Sequence, residues 1–156
     1  MRFSLLGILL TFALTAPAIA AEAEFVRVWP GWRDAASFDR IREYFGGEEA
    51  SVREPILRTQ PATREGYYFL VRVKSAAQSA AKIAVSVIRP DHPEAKVFTF
   101  PFAPTTSETA LNVGLTGADW PGGKAASPVA WKIALLAADG RVLAEHKSFL
   151  WEKPAK

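Results

Sequence analysis

"VAWKIALLAADGRVLAEHKSFLW", Val129 to Trp151, decides the fold class. Its centre, "ADGR", holds Asp139-Gly140 between two alternating arms. A glycine tolerates the positive φ that a tight hairpin turn requires, so the stretch predicts two antiparallel strands. Trp131, Ile133 and Leu135 fall on one face of the first arm. On the second arm Leu143, Phe149 and Trp151 share one parity, and Val142, Ala144 and Leu150 share the other.

The same period of two recurs upstream. "YYFLVRVK" (Tyr67 to Lys74) aligns Tyr67, Phe69, Val71 and Val73. "KIAVSVIR" (Lys82 to Arg89) aligns Ile83, Val85 and Val87. "KVFTFPF" (Lys96 to Phe102) groups three phenylalanines, with Pro101 marking an edge or an end. "TALNVGLT" (Thr109 to Thr116) aligns Leu111, Val113 and Leu115. "EFVRVW" (Glu24 to Trp29) puts Val26 and Val28 on one face, and "PILRTQ" (Pro55 to Gln60) reads as a short edge strand. Seven or eight strands with turn signals every ten to fifteen residues or so predict an all-β fold. One polar face on most strands favours an antiparallel β-sandwich over a barrel, with an immunoglobulin-like arrangement. Apolar residues must then fill the place of the inter-sheet cysteine pair of antibody domains, because the chain has no cysteine.

Two segments stand apart from the strands. "MRFSLLGILLTFALTAPAIA" has a basic start at Arg2, an apolar run and an Ala-Ile-Ala site. This is the pattern of a signal peptide over residues 1–20, cleaved after Ala20, and it leaves one β-sandwich domain over 21–156. The apolar run is short for a membrane span, so none is expected after cleavage. The second segment is "VWPGWRDAASFDRIREYF", Val28 to Phe45. Pro30-Gly31 reads as a turn. A short α-helix should then begin at an Asp34 or Ser37 cap, bury Phe38, Ile41 and Phe45, and stop at Gly46-Gly47.

The composition excludes several chemistries. Nineteen basic against sixteen acidic residues is too even and too scattered for nucleic acid. Without cysteine there is no disulfide, thiol nucleophile or thiolate metal site. A metal would have to use His92 with Asp91 and Glu94 in "RPDHPEA", where two prolines read more simply as a polar turn. His146 and Ser148 lie two apart on one strand, and no G-x-S-x-G motif accompanies them. Glu48-Glu49 is the only acidic doublet and reads as a solvated loop. "WPGGK" lacks the spacing of a phosphate loop.

Aromatic side chains are the remaining candidates. Trp29, Trp32, Trp120 and Tyr68 could form flat binding platforms or plug the ends of the sandwich. The resulting expectation is an exported, periplasmic or extracellular bacterial module without enzyme activity or cofactor. It would recognise another exported protein or serve an accessory role at the cell envelope. A carbohydrate-binding module using the tryptophans is the alternative, and a hydrolase with a carboxylate site is the third reading. A platform demands two exposed coplanar rings, and an enzyme demands a hollow with converging polar groups and displaced pKa values.

Overall fold

The computed structural model describes residues 22–38, 55–75, 80–104 and 106–152. The expected signal peptide, the body of the helix with its Gly46-Gly47 stop, and Glu48-Glu49 lie outside these residues. So does the centre of the Ala-rich connection after Ser75.

Eight strands form two four-stranded sheets, and the chain is an all-β sandwich. They are β1 (Ala23–Arg33), β2 (Ile56–Arg58), β3 (Gly66–Ser75), β4 (Lys82–Arg89), β5 (His92–Pro101), β6 (Glu108–Thr116), β7 (Ala130–Leu136) and β8 (Val142–Lys147). Sheet A has the order β1-β3-β6-β2 and sheet B the order β5-β4-β7-β8. Hairpins join β4 to β5 and β7 to β8, while the chain changes sheet between β3 and β4, β5 and β6, and β6 and β7. This is the immunoglobulin-like order, with β1, β3 and β6 as strands A, B and E, and β5, β4, β7 and β8 as C′, C, F and G. The departure is β2. It takes the place of strand D at the edge of sheet A, yet comes from between β1 and β3 and runs parallel to β6. The expected antiparallel sandwich is therefore mixed at this one edge.

The alternating residues meet between the sheets as their period demands. Phe69 and Val71 of β3, Leu111, Val113 and Leu115 of β6, Ile83, Val85 and Val87 of β4, and Ile133 and Leu135 of β7 are all fully buried. Where antibody domains place a covalent bridge, the rings of Phe69 (β3) and Trp131 (β7) touch edge to face across the sandwich, with centroids 5.4 Å apart. The β7–β8 turn closes as its sequence requires. Gly140 has φ 87°, and the Arg141 N–H donates to Asp139 Oδ1 at 2.9 Å.

Four expectations change. Pro30-Gly31 is no turn: β1 continues through it to Arg33, because an edge strand has one side where a proline needs no donor. A bulge between Phe25 and Arg27 puts Phe25 and Val28 on the core side and leaves Val26 exposed. Pro93 likewise lies inside a strand, since β5 begins at His92 after a tight Pro90-Asp91 turn, again on an edge. Finally, β8 ends at Lys147, and Phe149–Glu152 is a 3-10 turn.

A short helix does start after β1. Asp34 Oδ1 accepts the Ser37 backbone N–H at 2.7 Å, and residues 35–38 are helical. The tie to the sandwich is the Phe38 ring, 4.9 Å from the Tyr68 ring on the outer face of sheet A.

Candidate functional site

The four aromatic candidates do not come together. Trp120 is 4% exposed, packs on Tyr67 with centroids 4.8 Å apart, and its indole N–H donates to the Gly123 carbonyl at 3.2 Å. The "WPGGK" turn thus serves to fold this ring inward. Burial raises the Tyr67 hydroxyl above its ordinary pKa, offset in part by a hydrogen bond with Ser127.

Tyr68 has the parity of an outer residue and is nevertheless buried. Its ring lies over Gly114 of β6, where a Cβ would come within 2.3 Å of Tyr68 Cε1. Its hydroxyl donates to the Arg64 carbonyl and accepts from Arg58 Nε at 2.7 Å. Phe38 and the Arg58 guanidinium complete the cover. Burial pushes the Tyr68 pKa up, against the hydrogen bond and charge of Arg58. Tyr68 and Trp120 are therefore structural, and neither presents a surface to a ligand.

Trp29 and Trp32 part company. Beyond the bulge, Val28 and Trp32 face the core, whereas Arg27, Trp29, Gly31 and Arg33 share the outer face. Trp32 is half-buried opposite Tyr67. Trp29 is 41% exposed opposite Leu70. The two rings cannot form one platform, because three residues on a strand place them on opposite faces.

Continuation of β1 through Pro30-Gly31 sets the surroundings of Trp29. The Arg27 guanidinium stacks 4.6 Å from the Trp29 ring centroid. Arg27 also lies directly opposite Arg72 of β3, a like-charge pairing that a sheet ordinarily avoids. Arg72 reaches Glu108 at 3.7 Å, while among the described residues no carboxylate pairs with Arg27 or Arg33. A Cβ on Gly31 would meet nothing within 4 Å, so the strip between Trp29 and Arg33 is open. The signal was present as "RVWPGWR": continued as a strand, it reads Arg-x-Trp-x-Gly-x-Arg on one face.

The other candidates are accounted for locally. Asp91 pairs with Arg89 at 3.0 Å, and His92 Nδ1 lies 3.4 Å from the Glu94 carbonyl. Among the described residues no group of three or more histidines and carboxylates is placed to hold a metal. Ser148 Oγ accepts the Trp131 N–H at 2.9 Å, and His146 stacks on the Trp131 ring, so the two are engaged separately. A hollow of about 560 Å³ near the start of β1 is lined by Glu22, Glu24, Glu108 and Lys74 among others. Two of its carboxylates are held by arginines: Glu22 meets Arg141 at 2.9 Å, and Glu108 meets Arg72. Lys96 holds Asp119, and Lys147 with Lys132 holds Glu145, below the usual carboxylate range. That direction keeps both ionised and suits neither to donate a proton at neutral pH.

Three of the four sheet edges are blunted. β1 carries a bulge and Pro30, β2 has three residues, and β5 is bounded by Pro93 and Pro101. Among the described residues no helix is long and apolar enough to cross a membrane. Comparison of the chain with protein-family models, curated proteins and solved structures finds no match.

Proposed function

We propose that this protein is an exported, non-catalytic recognition module of the bacterial cell envelope, and that it meets its partner through the outer face of sheet A. The observation that supports this reading is Trp29: a large aromatic left open to solvent on a face that also carries a directly opposed arginine pair. Tryptophan and arginine are the side chains most often found at energetic centres of binding surfaces. Neither is needed to build the core. Trp29 lies outside the core, and the repulsion of Arg27 by Arg72 offsets its cation–π contact with Trp29.

A photo-crosslinking amino acid placed at Trp29, in cells that export the protein, tests this reading. A discrete adduct at position 29, absent when the same group replaces Val97 on the outer face of sheet B, is the expected result. Val97 is 59% exposed and makes a fair control. Adducts at neither position, or equally at both, would sink the proposal.

A further inference from the structure

On the outer face of sheet A, beyond the β1 bulge, arginines surround one open ring, while Glu24 and Glu108 lie beside Lys74 at the other end of the face, and this narrows the chemistry of what the arginine end can hold. Beyond the bulge the outward residues of β1 are Arg27, Trp29, Gly31 and Arg33, with Arg72 beside Arg27 on β3. At about 3.4 Å per residue the strip is roughly 20 Å long, far longer than a single small anion needs. Among the described residues, Arg72 alone of these three arginines has a carboxylate within reach, Glu108 at 3.7 Å with both side chains about half exposed, so the described strip keeps a positive excess. All three cations are arginines, whose planar fork matches a carboxylate with two parallel hydrogen bonds. One face of the Trp29 ring is occupied by the Arg27 guanidinium. The remaining exposed indole surface is a flat apolar plate, and next to it Gly31 leaves the backbone uncovered.

A ligand that suits all these features is extended, carries repeated carboxylates, and has a flat C–H face to lay on an indole. Resting on the recognition reading above, we infer that the outer face of sheet A binds an acidic polysaccharide whose uronic acid residues stack on Trp29 and place their carboxylates on Arg27, Arg72 and Arg33. An acidic peptide would satisfy the arginines, but has no ring to lay on Trp29 unless an aromatic residue is added. It would also gain little from strand addition, because the bulge at Val26 and Pro30 interrupt the β1 edge.

The test is calorimetric titration of the full chain with polygalacturonate, with its fully methyl-esterified form, and with poly-glutamate. The esterified polymer keeps the sugar and removes the charge, whereas poly-glutamate keeps the charge and removes the sugar. Saturable binding of polygalacturonate is expected, with the other two much weaker. Trp29→Ala should weaken it about tenfold or more, as loss of a central aromatic does. Arg27→Gln and Arg72→Gln should each weaken it severalfold, and Gly31→Val should block the strip while leaving the unfolding midpoint unchanged.

Binding of the methyl ester as tight as that of the acid would overturn the carboxylate assignment. Equal binding of poly-glutamate, with no effect of Trp29→Ala, would overturn the glycan and leave bare polyanion attraction. Absence of binding to all three polymers would overturn the inference as a whole. In each of these cases crosslinking at position 29 decides the broader recognition reading separately.

Discussion

The outer faces of the two sheets handle charge in opposite ways. On sheet B, Glu145 sits between Lys132 and Lys147, at 3.1 and 2.9 Å, and separates two lysines that the register places opposite each other. Around them Ala84, Ser86 and Ala134 keep the face low and shielded. On sheet A, Arg27 faces Arg72, and among the described residues only Arg72 has a carboxylate partner, Glu108 at 3.7 Å; Trp29 stands open beside them. A surface that only has to stay soluble is finished like sheet B. Under the proposed recognition role, the opposed arginines and the exposed indole of sheet A are kept for binding and not for the stability of the free protein.

The largest effect that tests this contrast separates two glycines that flank Tyr68 on sheet A. Gly114→Val should destabilise by about 1–3 kcal/mol, because its side chain must displace a ring fixed by two hydrogen bonds. Gly31→Val should stay within about 0.5 kcal/mol, since nothing lies near its Cβ. Urea midpoints measure both, and similar losses at the two positions would remove the claim that the strip beside Trp29 is open.

A smaller difference sets charge against charge. Glu145→Gln on sheet B leaves Lys132 opposite Lys147 and should cost about 1 kcal/mol, at the upper end for a partly exposed network. Arg27→Gln removes both a repulsion and a cation–π contact, so these offset and the net change should be under about 0.5 kcal/mol. If Arg27→Gln proves the costlier of the two, Arg27 is structural and the contrast between the faces fails.

The finest distinction is in pH. Glu145 titrates below its ordinary value of 4.5 in the folded protein, held there chiefly by Lys147. Its contribution is complete above the unfolded-state pKa and is lost as pH falls through the lower, folded one. Tyr68 behaves in the opposite sense. Its pKa lies above 10.0 through burial, so the unfolded chain ionises first and stability declines as pH rises past 10. Stability–pH profiles should therefore show a shallower acid limb in Glu145→Gln and a shallower alkaline limb in Tyr68→Phe, each leaving the other limb alone.

The strands of the core were legible because burial on one face leaves a period of two. β4 coincides with its predicted range, and the alternating residues of β3, β4, β6 and β7 are those that meet in the core. Edges were less legible. Pro30 and Pro93 resemble turn residues until the strand that holds each is known to lie at the edge of its sheet, and that depends on pairing with distant segments. Tyr68 and Trp120 escaped for a related reason. What lies against Tyr68 is Gly114 and Phe38, far from it in sequence, and what buries Trp120, in the connection after β6, includes Tyr67 on β3. The strip around Trp29 depends on one dipeptide, Pro30-Gly31: as a turn it breaks the parity, and as strand it puts Arg27, Trp29, Gly31 and Arg33 on one face.

The Phe69–Trp131 contact has a consequence for the unfolded protein. A disulfide at that place would keep the chain tethered after unfolding and would contribute roughly 2–4 kcal/mol by restricting the denatured ensemble. An edge-to-face ring contact ends when the sheets part, and leaves that ensemble unrestricted. All of the stability then resides in the folded state, and it is the same in reducing and in oxidising surroundings.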